Sequence, residues 1–291
     1  MAMGKGAPDG GRVPPGLHLV STPIGAARDI TLRALDILAS ADVLAAEDTR
    51  TLRHLMEIHG IAVAGRPMIA YHDHNGAAAR PRLIAALREG KSVAYASEAG
   101  TPLVADPGYQ LARAAIAEGL PVLAAPGPSA VLCALSVSGI ASDRFTFMGF
   151  LPNKSAARKT VLREVQALPT SLIFYESPHR LSVSLNEMRD TLGADRNAAV
   201  CRELTKKFEE VCRGTLASLA DLFATRDVKG EIVVVVDRGS VVETRTDDLA
   251  VALKTALQTQ SVKEASNAIA ERYGLSKRDV YQMALKLEGG E

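Results

Sequence analysis

The chain of 291 residues has no tryptophan, six phenylalanines and six tyrosines. Its core must therefore be built from Ala, Val, Leu and Ile rather than from aromatic slabs. It has three cysteines, Cys133, Cys201 and Cys212. That is an odd number for a disulfide framework, without the spacing of a zinc site, and it fits a reducing cytosolic compartment. No stretch approaches the ~18 consecutive apolar residues of a membrane-spanning helix. An excess of one charge is also missing: Lys+Arg 34 stands against Asp+Glu 33. This argues against a surface that coats nucleic acid throughout, while leaving room for a local basic patch. With 47% hydrophobic and 23% charged residues, the composition is that of a globular protein.

Residues 1–16, MAMGKGAPDGGRVPPG, are rich in Gly and Pro and carry no apolar signal-peptide region. They read as a disordered leader. Beyond them, short apolar runs alternate with amphipathic stretches. Strands are expected at Leu17–Val20, Val43–Ala46, Met68–Tyr71, Val93–Ala96 and Val122–Ala125. Helices are expected at Ile30–Leu38, Leu52–Ile58, Arg82–Leu87, Leu111–Ala117 and Ala130–Ser136. Such alternation predicts an α/β domain on a largely parallel sheet, over 17–140. A second α/β unit is expected over 141–240. Its strands are Phe145–Phe150, Ser171–Tyr175 and Ile232–Val236, its helices Ala156–Ala167 and Leu181–Leu192, and Ala198–Cys201 can pair with Phe208–Cys212. The tail, 245–291, has three helical patterns. Gly274 and the capping-box residues Ser276 and Asp279 suggest a helix–turn–helix shape, as readily a packed cap as an RNA contact.

Two phosphate-binding motifs fail. After the first strand, Ser21–Thr31 offers only Gly25 where a dinucleotide fingerprint needs three glycines. Before Gly90–Lys91–Ser92, a P-loop would need glycine at Ala85. Instead, three strands end in loops shaped by Gly and Pro: STPIG at Ser21–Gly25, SEAGTP at Ser97–Pro102, and APGPSA at Ala125–Ala130. In open α/β sheets, ligands bind at the carboxyl ends of the strands. Three side-chain-poor loops on one edge make a wall of backbone donors and acceptors.

Further blocks follow the same order: AEDTR (Ala46–Arg50), YHDHN (Tyr71–Asn75), DPG (Asp106–Gly108), GFLP (Gly149–Pro152), FYESPHR (Phe174–Arg180), RELTK (Arg202–Lys206) and KGE (Lys229–Glu231). From Leu17 to Val236 this set resembles the ribosomal RNA small subunit methyltransferase I family. That family has the tetrapyrrole-methylase-like (class III) fold: two α/β domains with an S-adenosylmethionine (SAM) cleft between them, here with a small helical extension. The resemblance implies SAM contacts at Pro23, Ile24, Ser97, Glu98, Ala99, Gly100, Thr101, Pro102, Val104, Pro126, Gly127, Ser129, Ala130, Gly230 and Glu231. It implies 2′-O-methylation of a decoding-site cytidine in the 16S rRNA of the small ribosomal subunit, by a homodimer. Glu98 stands where the family usually has Asp, Ala26–Ala27 where Asn–Leu is common, and Asp73 where Glu is usual.

Methyl transfer to a ribose hydroxyl needs alignment, exclusion of water and a group to take the hydroxyl proton. The candidates are Glu47 and Asp48 after the second strand, His72 and His74 after the third, and Glu176 in YESPHR. Asp48 with Arg50, and Glu176 with Arg180, are equally well read as structural ion pairs. His72 and His74 lack a third ligand by spacing, and no metal is expected. Arg28, Arg50, Asn75, Lys154, Arg158, Lys159, Arg180 and Arg202 are candidates for RNA phosphate contacts, with Tyr71 or Tyr175 to stack on a base. Three rival readings remain. One is a methylase of a tetrapyrrole or other small molecule on the same fold, another a DNA-binding regulator using 274–285, and the third a nucleotide-dependent oxidoreductase.

Overall fold

The computed structural model describes residues 13–72, 74–104, 107–239, 246–273 and 277–288. Asp73, Asp106, Gly274 and Ser276 lie outside them, as do residues 1–12 of the expected leader. Val13 is already buried, and the first strand begins at Gly16.

Five strands form the first sheet: β1 (Gly16–Val20), β2 (Val43–Ala46), β3 (Met68–Ala70), β4 (Ser92–Ala96) and β5 (Val122–Ala125). Their order is β3-β2-β4-β1-β5, and every pairing is parallel. Central strands covered on both faces read as continuous apolar runs, as in VLAA of β2. Leu17, Val43 and Tyr95 point to one face, where α3 (Gly76–Arg88) and α4 (Tyr109–Ala117) supply Leu83, Leu87 and Leu111. Val20, Leu44 and Ala94 point to the other, covered by α1 (Leu32–Ser40) and α2 (Thr49–Ile58) through Leu38, Leu52 and Met56. The cap of α1 is Thr31, whose Oγ1 accepts from Ala34 N at 3.1 Å. Because all five strands run the same way, their loops gather on one edge. The adjacent strands β4, β1 and β5 carry the three Gly/Pro-shaped loops.

The second sheet is mixed, in the order β6-β7-β10-β8-β9. It contains β6 (Phe145–Phe150), β7 (Ser171–Glu176), β8 (Asn197–Arg202), β9 (Glu210–Thr215) and β10 (Ile232–Val236). Only β6 and β7 are parallel; the other pairs, the expected β8–β9 pair among them, are antiparallel. One face packs Phe174, Val200 and Val234 against α6 (Ser155–Val165), α7 (Leu181–Leu192) and α8 (Leu216–Leu222). The opposite face, Ile173, Ala199, Val233 and Val235, receives α5 (Ala130–Ser138) through Val131, Ala134 and Leu135.

Thus α5 begins at a loop of the first sheet and is buried against the second. Arg213 of β9 clamps its far end, with Nε donating to Ser138 O at 3.1 Å and Nη2 donating to Val137 O. A cation on the last carbonyls of a helix meets both their unpaired lone pairs and the dipole. The two sheets are therefore joined by a packed helix, which ends at Gly139.

The tail forms α9 (Thr246–Leu257), α10 (Val262–Tyr273) and α11 (Lys277–Glu288) around Leu253, Ile269 and Val280. A reciprocal capping box opens α10: Glu264 N donates to Ser261 Oγ at 3.3 Å, and Ser261 N donates to Glu264 Oε2 at 3.1 Å.

Candidate active site

The wall built from β1, β4 and β5 is tied together before any ligand arrives. Thr22 and Gly100 pair as a single antiparallel bridge, N to O at 3.0 and 3.1 Å. Ser97 Oγ closes its own loop by donating to Gly100 O at 2.6 Å, and Thr101 Oγ1 reaches across to Pro128 O at 2.8 Å. Gly100 has φ +81°, a left-handed conformation that favours glycine.

The opposite wall comes from the second sheet. It comprises the ends of β7 and β10, the turn holding Leu204 and Lys206, and Gly230–Glu231. Lys206 Nζ lies 2.9 Å from both Glu203 Oε1 and Glu231 Oε2. Its ammonium pKa is raised: burial pulls downward, but the hydrogen bonds to the two carboxylates outweigh it. Glu203 and Thr205 hold positive φ, +51° and +65°, in this turn. Such backbone strain concentrates at functional sites. Thr205 Oγ1 accepts from Ala26 N at 3.1 Å, so the strained turn grips the first loop directly.

Between the walls lies a cleft of about 690 Å³, within the range of small-molecule sites. Of the residues expected to hold a cofactor, Pro23, Ile24, Glu98, Ala99, Gly100, Thr101, Val104, Ser129, Ala130, Gly230 and Glu231 line it. Ser97 and Pro102 are buried behind the loop that they shape. Pro126 and Gly127 are not among the lining residues; Gly127 packs so closely on Ser21 that a Cβ would lie 2.7 Å from its side chain. Gly25, in the loop already marked by the sequence, also lines the cleft, as do Thr51, Phe150, Ser177, Pro178 and Lys206, which were missed. Lys206 had a visible signal, since it follows Glu203 by three residues in the RELTK block.

The catalytic candidates separate by environment. Glu47 lines the cleft at the end of β2, half-buried. Asp48 does not: it caps α2, accepting from Arg50 N at 2.8 Å, and binds the Arg50 side chain. The Arg50 hydrogen bonds hold its carboxyl down at about 2, so it is a poor proton acceptor. Glu176 reaches the cleft with its carboxylate already engaged by Ser177 N, Ser184 Oγ and Arg180. That arrangement makes it an anchor for the loop. His72 is half-buried outside the lining, with His74 stacked edge-on at 6.1 Å between ring centres.

Two RNA candidates are corrected by burial. Tyr71 is 1% exposed, wedged edge-to-face on Tyr95, and its hydroxyl accepts from Arg80 Nε, so its ring has no face for a base. Arg158 is 4% exposed in an ion pair with Glu187, and its charge is used internally. Asn75 donates to Ala70 O and accepts from His72 N, holding the loop that opens α3. Arg180 donates to Leu151 O and Asn153 Oδ1, and Arg202 pairs with Glu210. Arg28, Arg50 and Lys154 have exposed side chains.

Residues 16–220 match the family model of the Tetrapyrrole (Corrin/Porphyrin) Methylases, and 243–288 match the RsmI C-terminal HTH domain. A ribosomal RNA small subunit methyltransferase I of Mesorhizobium japonicum is 48% identical over 94% of this chain and 92% of its own. One of Pseudomonas aeruginosa is 43% identical over 94% and 98%. The chain belongs to the ribosomal RNA small subunit methyltransferase I family. Among solved structures, a diphthine synthase aligns with TM-score 0.60 at 17% identity, over 76% of this chain and 89% of its own. The Thermus thermophilus uroporphyrin-III C-methyl transferase complexed with S-adenyl homocysteine aligns with TM-score 0.54 at 18% identity, over 76% and 97%. These establish the shared fold.

SAM is the cofactor of this family, and the cleft fits it. Glu47, Glu98, Glu176 and Glu231 line the cleft against a single lysine, Lys206, an acidic excess that suits a ligand carrying sulfonium and amino cations. Ile24, Val104, Ile232 and Val233 offer apolar surface to a purine, and the tied loops offer backbone groups to ribose and carboxylate.

Proposed function

We propose that this protein transfers a methyl group from SAM to the 2′-hydroxyl of a decoding-site cytidine in the 16S rRNA of the small ribosomal subunit. The observation carrying this reading is the similarity to relatives of that name over nearly the whole chain, helical tail included. The relatives' acceptor class, RNA, matches a cleft open to a large substrate, with Arg28, Arg50 and Lys154 exposed for phosphate. The proposal includes action in the cytoplasm as a pair of chains, and division into units at 17–140, 141–240 and 245–291.

Bound SAM supplies a methyl carbon already activated by a sulfonium. The protein's task is to orient, to exclude water and to take one proton. We assign the proton to Glu47, the lining carboxylate at a strand end beside the cofactor loops. Thr205 ties the strained turn to the first wall through Ala26 N, Lys206 braces that turn against Glu231, and the Glu176–Arg180 pair holds the loop at Ser177–Pro178. The test is radioactive methyl transfer from SAM to small ribosomal subunits of a strain lacking this gene, followed by mapping of ribose methylation. Label in a cytidine ribose near the decoding site is the expected result. Label on a base or a porphyrinoid, or none, overturns the assignment.

A further inference from the structure

In a chain poor in aromatic residues, three rings gather at the second wall. Phe147 lies 4.8 Å from Tyr175 between ring centres, and Phe150 lies 5.5 Å from it, both edge-to-face. Tyr175 and Phe150 line the cleft, and Phe150 is 58% exposed.

The backbone builds this cluster through an irregularity. Phe147 pairs with Ile173, but the register slips between Phe147 and Gly149, so that Phe150 rather than Gly149 falls opposite Tyr175. Strict alternation would put Phe147 and Phe150 on opposite faces of the sheet; one extra residue puts both on the Tyr175 side. Gly149, at φ +65°, accommodates the slip. Tyr175 is held as a neutral phenol, its pKa raised by burial and then by Glu231. The cluster therefore presents uncharged π surface, fixed by its own edge-to-face packing, in the cleft that contains Glu47.

A large apolar ring exposed in a concave site marks an interaction. Single-stranded RNA is held by bases unstacked from their neighbours and laid on aromatic rings. We propose that Phe150, backed by Tyr175, is the platform on which an unpaired nucleobase of the RNA stacks while its ribose is methylated. It takes the role that buried Tyr71 cannot. This rests on the RNA reading above, and Phe150 is a positioning residue within it.

The test compares Phe150→Ala, Phe150→Leu and Phe150→Trp in methyl transfer to small ribosomal subunits, with calorimetric titration of S-adenosylhomocysteine for each. Expected for Phe150→Ala is a KM for subunits raised about 5- to 140-fold, the range of one lost base–aromatic stack, with unchanged affinity for S-adenosylhomocysteine. Phe150→Trp should restore KM, and Phe150→Leu, apolar but without a π face, should not. The chain has no tryptophan, so the Phe150→Trp emission reports this position alone, and S-adenosylhomocysteine should leave it unchanged. Wild-type KM in Phe150→Ala, rescue by Leu, quenching by S-adenosylhomocysteine, or loss of self-association in Phe150→Ala each overturns the platform. A wild-type chain that transfers nothing to subunits sinks the RNA reading, and the platform with it.

Discussion

Adding one methyl group at Gly25 tests whether the grip between the two walls sets the affinity of the cleft. A Cβ there would lie 2.5 Å from Lys206 Cγ, 2.6 Å from Thr205 Oγ1 and 3.1 Å from Leu204 O. Ordinary carbon contacts begin near ~3.5 Å, so the turn must retreat by roughly 1 Å. The Lys206 Cγ is mid-chain, and moving it disturbs the ion pairs to Glu203 and Glu231. Retreat of Thr205 also stretches its bond from Ala26 N. Overpacking costs about 1–3 kcal/mol and the hydrogen bond about 1 kcal/mol; the half-exposed ion pairs add little. Gly25→Ala should therefore lose about 2–4 kcal/mol, shared between stability and ligand affinity. Thermal unfolding and calorimetric titration with S-adenosylhomocysteine measure the two parts. In the double variant with Lys206→Ala the clashing Cγ is gone, so the two changes should couple by at least ~0.5 kcal/mol. Wild-type affinity and wild-type unfolding temperature in Gly25→Ala would refute the tight junction altogether.

Three further outcomes are expected. Glu47→Gln should lower kcat about 10²- to 10⁴-fold, the usual contribution of a general base, with unaltered binding of S-adenosylhomocysteine; unchanged turnover removes Glu47 from the mechanism. Arg180→Ala should destabilise by about 3 kcal/mol, since it strands the buried Glu176 carboxylate; a variant that unfolds like wild type but binds RNA weakly would return Arg180 to phosphate binding. Glu187 has its pKa lowered, chiefly by the hydrogen bond from Arg158, with burial opposing. A depressed folded value means that its contribution is complete above the ordinary value of 4.5 and is lost as pH falls through the folded value. Unfolding temperature measured against pH should therefore drop more steeply in acid for wild type than for Glu187→Gln, and parallel curves would contradict the linkage.

The strands of the first sheet were legible because each is a short apolar run between polar breaks, as burial on both faces demands. The three loops that form one wall of the cleft were legible because Gly and Pro shape stiff, side-chain-poor turns at the strand ends. Helix limits were less so: α3 starts at Gly76 and runs through Pro81, whereas the pattern suggested Arg82. The short helix α8 went unseen, although Thr215 caps it by accepting from Ser218 N. Burial was the main blind spot. Tyr71 and Arg158 sit in polar-looking stretches, and only tertiary packing turns one onto Tyr95 and the other onto Glu187. Phe150 was hidden for another reason: alternation assigns it to the wrong face, and the one mark of the bulge, Gly149 inside the strand, was not read as such. The ion pairs of Asp48 with Arg50 and of Glu176 with Arg180 were legible from spacing, but Ser184, the further partner of Glu176, is a matter of geometry.

The bridge between Thr22 and Gly100, with the Thr101 strut to Pro128, means that half of the binding surface is finished architecture. Docking the methyl donor there freezes little chain, so its cost in disorder is small and uptake should be quick, with no slow rearrangement phase. A rigid donor half also leaves selection free to remodel the facing half for a new acceptor.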